Sequence, residues 1–151
     1  MSSEPAYRGN PIPADLLEQR ITEAKASQIG KSVRHAGAAA ALARLLLERG
    51  ETNQALALLD RFEGDFVADG LAARARLAAA DPEPELVDAF AAWDRGEHED
   101  ALEELQERIS EEVEEERRDL LRRVMVAIFT ELGADHPLAR AHRRRLALAL
   151  N

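Results

Sequence analysis

Two stretches of this chain align without a gap, 46 positions apart: Arg49-Gly50-Glu51-Thr52-Asn53-Gln54-Ala55-Leu56-Ala57-Leu58-Leu59 and Arg95-Gly96-Glu97-His98-Glu99-Asp100-Ala101-Leu102-Glu103-Glu104-Leu105. Each sets a Gly at the end of one periodic apolar run, then a short polar turn, then Ala-Leu inside the next run. Glycine tolerates the left-handed backbone that closes a helix. An Ala five residues later is small enough for two antiparallel helices to approach closely, and the Leu beside it fills the groove between them. The spacing predicts two helical hairpins, one packed through Gly50, Ala55 and Leu56, the other through Gly96, Ala101 and Leu102.

Composition points the same way. The chain holds 29 Ala and 21 Leu against 14 Val, Ile and Thr together. Strong helix formers abound and strand formers are scarce, so a sheet-based enzyme fold finds little support. Residues 1–12, with Pro5, Gly9 and Pro11, read as a flexible tail. Pro13 suits the first turn of a helix running to about Gly30, with Leu16, Leu17, Ile21 and Ala24 on one face, within an N-terminal segment spanning 13–34. Further helices are expected over about His35–Arg49, Asn53–Phe62, Val67–Ala80, Glu83–Asp94, Glu97–Ser110, Glu114–Leu132 and Pro137–Leu150. That makes an all-α domain over 35–151 and about seven to eight helices in all. The stripe Leu120, Leu121, Val124, Met125, Ile128, Phe129 and Leu132 reads as core rather than as a ligand box.

No residue set announces chemistry. Cys is absent, which removes thiolate metal sites, redox pairs and cysteine nucleophiles. No apolar run reaches the ~18 residues of a membrane span. The first residues lack the pattern of a secretory signal, so a soluble, cytoplasmic protein is expected. Gly30-Lys31-Ser32 has the ending of a phosphate-binding loop, but Lys25 stands where that loop needs its first Gly. His98 among Glu97, Glu99 and Asp100 reads as a solvated helix start rather than a metal site. The i, i+4 pairs Glu103/Glu107 and Glu111/Glu115 lack the burial that splits the pKa values of a catalytic dyad. Catalytic, cofactor-binding and metal-ligating residues are all expected to be none, and no cofactor is expected.

Charge is unevenly placed along a chain of net charge −9. Residues 97–116 carry 11 acids against one Arg, and residues 117–151 carry 8 Arg against 3 acids. Arg140, Arg143 and Arg144 form a basic stripe on the last helix, which also presents Leu138, Leu146 and Leu150 at helical spacing. Arg140, Arg143, Arg144, Leu146 and Leu150 are thus the candidate partner-binding residues. The preferred reading of the basic residues, Arg117, Arg118, Arg122, Arg123 and Arg145 included, is intramolecular, facing the acidic segment at ~0.2–1 kcal/mol per exposed pair. An acidic protein partner comes next. Nucleic acid is the weakest reading, since no aromatic residues interleave for base stacking.

Gly-x4-Ala is the core of a tetratricopeptide helical hairpin. The 46-residue offset exceeds the ~34 of a regular array, so something helical lies between the two hairpins. From His35-Ala36-Gly37 through Phe66-Val67-Ala68-Asp69-Gly70-Leu71 the chain resembles the tetratricopeptide-like part of YbbN-type thioredoxin-like co-chaperones. The likeness continues through Arg118–Phe129 to Leu132-Gly133-Ala134-Asp135-His136-Pro137-Leu138 and covers roughly residues 35–151. What precedes His35 does not resemble the family's thioredoxin-like domain, so no redox activity is carried over. The resemblance implies a tetratricopeptide-like array (an α-solenoid) acting as a non-catalytic, co-chaperone-like interaction module that binds client or chaperone segments. A structural homo-oligomer and an RNA-binding accessory protein using the Arg-rich last helix are the alternatives.

Overall fold

Both repeated glycines close their helices in the same way. Gly50 and Gly96 have φ of 77° and 80°. Glu51 N donates to Leu46 O at 2.9 Å and Gly50 N to Leu47 O at 3.1 Å; Glu97 N donates to Ala92 O at 2.8 Å and Gly96 N to Trp93 O at 3.0 Å. This is the Schellman pattern, which satisfies carbonyls that a helix end leaves open. Each partner in the second set lies 46 positions after its counterpart. The two hairpins are therefore equivalent down to their hydrogen bonds.

The structure, a computed structural model, describes residues 19, 32–80 and 83–151. The expected tail over 1–12, and the expected N-terminal helix apart from Gln19, fall outside the described residues up to Lys31. Seven α-helices follow: α1 (Ser32–Glu48), α2 (Thr52–Leu59), α3 (Phe66–Ala80), α4 (Pro84–Asp94), α5 (His98–Glu111), α6 (Glu115–Leu132) and α7 (Pro137–Leu150). A 3-10 turn over Asp60–Phe62 continues α2, where the sequence predicts a single helix to Phe62. Among the described residues there is no strand. None of their helices is long and apolar enough to cross a membrane. The architecture is an all-α, tetratricopeptide-like helical array.

Within each hairpin the small residue sits where the spacing requires it. Ala55 and Ala101 are fully buried, and Leu102 is buried beside Ala101. Leu56, the counterpart of Leu102, is only half-buried. The difference has a cause: α7 packs on α5, and no described helix covers α2 in the same way.

The helical material between the hairpins is α3, and it has its own counterpart in α6. These two pack against each other more extensively than any other pair. They run antiparallel, since Gly70 lies against Arg123 and Ala127, while Glu83, just past α3, meets Arg117 near the start of α6 at 2.6 Å. Gly70 is what lets the backbones close. A Cβ there would run into the Ala127 side chain and sit 2.9 Å from the Arg123 carbonyl oxygen. The molecule is thus two three-helix units, α1-α2-α3 and α4-α5-α6, joined through their equivalent third helices, with α7 laid over α5 and α6. The stripe on α6 is core as its periodicity predicts: Leu121, Val124, Met125, Ile128 and Phe129 are all buried.

Candidate functional site

A polar cluster occupies the junction of the two units. Arg74 on α3 donates two hydrogen bonds to the Asp94 carboxylate, Nη1 to Oδ1 at 2.7 Å and Nη2 to Oδ2 at 2.8 Å. Arg44 on α1 donates to the same Asp94 Oδ1 at 3.1 Å and to Glu131 on α6 at 2.6 Å. Glu131 also accepts from the Trp93 indole N–H at 2.7 Å. The Arg44 guanidinium lies 4.6 Å from the Trp93 ring centre, and that of Arg74 lies 5.2 Å from Phe90. Forked guanidinium–carboxylate pairs and indole stacking are what Arg offers and Lys does not. With a side chain only 9% exposed, Arg74 needs this acceptor; a buried charge without one is strongly destabilising. Four helices are tied together by this cluster, whose charges are paired with one another.

His98 opens α5 and is half-buried beside the junction cluster. His98 Nε2 stands 3.5 Å from Glu131. A shallow groove of about 370 Å³ lined by Glu97, His98, Glu99, Asp100, Leu132, His136 and Leu138 opens beside it. Among the described residues no group of His, Asp and Glu has the arrangement of a metal site.

The surface of α7 divides the candidate partner-binding residues. Leu146 is 6% exposed and lies in the core with Ala139 and His142. Leu150 is half-buried against that core. The leucine that faces water is Leu148, 76% exposed, which the sequence reading did not single out. The structure therefore separates the five: Arg140, Arg143 and Arg144 face out, while Leu146 and, in part, Leu150 face in.

The arginines also sort themselves. Arg44, Arg74, Arg108, Arg117, Arg123 and Arg145 all reach carboxylates beyond their own helix. Two of these meet the acidic 97–116 segment as expected, Arg117 with Glu112 at 3.0 Å and Arg145 with Glu103 at 3.0 Å. Arg122 pairs with Asp119 on its own helix, and Arg118 donates to the Ala149 carbonyl. Arg140, Arg143 and Arg144 have no carboxylate partner among the described residues. Arg143 instead lies 5.3 Å over the Phe129 ring, a contact that fixes its stem and leaves N–H donors for an incoming group.

Beneath this face His142 is 2% exposed. Its Nδ1 lies 3.5 Å from the Gln106 amide oxygen and its Nε2 3.5 Å from Glu103. Burial, followed by the neighbouring Arg145 charge, holds its pKa below the usual histidine value, against the opposing pull of Glu103 and Glu99. His142 thus lies between α5 and α7 and fastens the helix that carries the arginines.

One family model, described as tetratricopeptide repeat, matches residues 68–151, from α3 to the end of α7. No curated protein and no solved structure matches the chain.

Proposed function

The chain belongs to the tetratricopeptide repeat family, and from that premise we propose that it is a non-catalytic, co-chaperone-like module that grips acidic segments of a client or chaperone on the outer face of α7. Helical-repeat proteins act by presenting surfaces to other polypeptides. The observation that carries the reading is the set Arg140, Arg143 and Arg144. It places three exposed guanidinium groups on one helix face with no carboxylate partner among the described residues, where the other described arginines are mostly paired. Their spacing, i, i+3 and i+4, groups them on adjoining turns. Leu148 adds an apolar contact beside them.

The test is titration of a labelled Glu/Asp-rich peptide into the chain and into Arg140→Ala/Arg143→Ala/Arg144→Ala. Exposed pairs of about 0.5–1 kcal/mol each make a loss of roughly tenfold or more in affinity for the triple variant. Arg61→Ala, at an exposed site on the first unit, should change nothing. Equal binding by the triple variant overturns the reading. So does RNA that binds at least as tightly as the peptide, with its affinity falling steeply as salt rises, since that is the mark of phosphate recognition.

A further inference from the structure

Two faces of opposite charge lie on different sides of α5. Asp100, Glu104, Glu107 and Glu111 stand at i, i+4, i+7 and i+11 of that helix, within one sector of its surface. Glu85 and Asp88, exposed on α4, widen the stripe across the hairpin. Residues 83–116 carry 15 acids against 2 Arg. Among the described residues Glu85, Asp88, Asp100 and Glu107 have no cationic partner, and Glu104 reaches Arg108 at 3.9 Å. Burial and then the charge of Glu107 hold the Glu104 carboxyl above its ordinary pKa, with Glu85 and Asp88 adding to this against Arg108. These carboxylates repel one another, and an arriving cation relieves that repulsion. The other face belongs to α7, which docks where Glu103 meets Arg145 and Gln106 meets His142. Arg140, Arg143 and Arg144 are exposed on it, and none of them pairs with the acidic stripe of its own copy.

We propose that a second copy of this chain supplies the acidic segment that α7 grips, its α4–α5 stripe docking on Arg140, Arg143 and Arg144. This rests on the reading of α7 given above and names one occupant for it. Charge complementarity supports that occupant, and so does spacing: Arg140 and Arg144 are four residues apart, as are Asp100 and Glu104, and Glu107 and Glu111. Neighbouring charges on both faces are thus separated by one helical turn. Each face also has an exposed apolar side chain at hand, Leu148 one turn beyond Arg144 and Val87 next to Asp88. Whole molecules of net charge −9 repel. At about 0.1 M salt the ~10 Å screening length mutes that repulsion and leaves pairs in contact intact. The two surfaces differ, so the contact is head-to-tail, and copies add in a row unless the rotation closes a ring.

Sedimentation of the full chain tests this. In about 0.1 M salt the mean mass should rise above that of one chain as concentration rises, and fall back in about 1 M salt, where the screening length is ~3 Å. Arg140→Ala/Arg143→Ala/Arg144→Ala and Asp100→Asn/Glu104→Gln/Glu107→Gln/Glu111→Gln should each stay monomeric. Mixed, they should form a complex of two chains and no more, at least tenfold tighter than either forms with itself, because one keeps the acidic face and the other the basic one. A mixture that stays monomeric, or self-association of either variant equal to that of the parent chain, overturns the proposal. So does a parent chain that is monomeric up to about 1 mM in about 0.1 M salt, a result that needs no variant to fold. The acid-depleted variant separates the two readings. If it binds the labelled Glu/Asp-rich peptide but not the arginine-depleted variant, self-docking fails and the α7 reading stands; if it binds neither, both fail.

Discussion

Gly70→Ala sets two effects of opposite sign against each other at the contact between the two units. In a helix interior Ala is favoured over Gly by about 1 kcal/mol, so propensity alone predicts a gain. The added methyl, however, collides with the Ala127 side chain and lies 2.9 Å from the Arg123 carbonyl oxygen, where ordinary contact begins near 3.4 Å. Neither neighbour is the end of a flexible side chain. To restore contact α3 and α6 must part by about half an ångström or more along the largest interface in the molecule, and overpacking of this kind costs about 1–3 kcal/mol. The net expectation runs from no gain to a loss of about 2 kcal/mol, a drop of up to roughly 8 °C in Tm for a chain of this size. Gly37→Ala is the matched control, because it is also inside a helix but a Cβ there meets nothing within 4 Å. It should gain up to about 1 kcal/mol and raise Tm by roughly 2–4 °C. Thermal unfolding followed by far-ultraviolet circular dichroism reads both. Adding Ala127→Gly to Gly70→Ala should recover part of the loss, with a favourable coupling of about 1 kcal/mol. Gly70→Ala gaining as much stability as Gly37→Ala would refute the close approach of α3 and α6.

Asp94→Asn takes the charge from the acceptor shared by Arg74 and Arg44, and should cost about 3 kcal/mol in chemical denaturation. Trp93, the sole tryptophan, should report it as a red-shifted native emission as its Arg44 and Glu131 contacts loosen. Gly50→Ala and Gly96→Ala each place a side chain at positive φ and should lose about 1 kcal/mol apiece; costs differing by more than about 1 kcal/mol would deny that the turns are equivalent. The histidine gives a pH signature. Because the folded state holds the His142 pKa down, the unfolded chain takes up its proton first, so this contribution is intact above the ordinary value of 6.5 and is lost as pH falls through it. The midpoint of unfolding should fall between about pH 7.5 and about pH 5, and His142→Gln should flatten that part of the profile.

The helices were legible because their ends are written locally. Gly50, Gly96 and Gly133 follow the last apolar residue of their runs, Pro84 and Pro137 open the next, and the structure places helix boundaries within a few residues of those signs. The junction cluster was not legible. Arg44 meets Asp94 and Glu131 across 50 and 87 residues, and no local pattern marks one arginine among many as the buried one. The pairing of α3 with α6 had a single trace, Gly70 in an otherwise Ala- and Leu-rich helix, which signals close packing without naming the neighbour. On α7 the period set Leu138, Leu146 and Leu150 on one face and left Leu148 off it, but it could not say whether that face meets a partner or the core; the packing of α7 on α5 and α6 decides that it is core.

The like-with-like union of α3 and α6 has a consequence for growth. An ordinary array adds modules in tandem because each offers its successor the same socket that its predecessor used. Here the two described units occupy that socket on one another, face to face. A further module brought up to α3 or α6 would find no vacancy of that type.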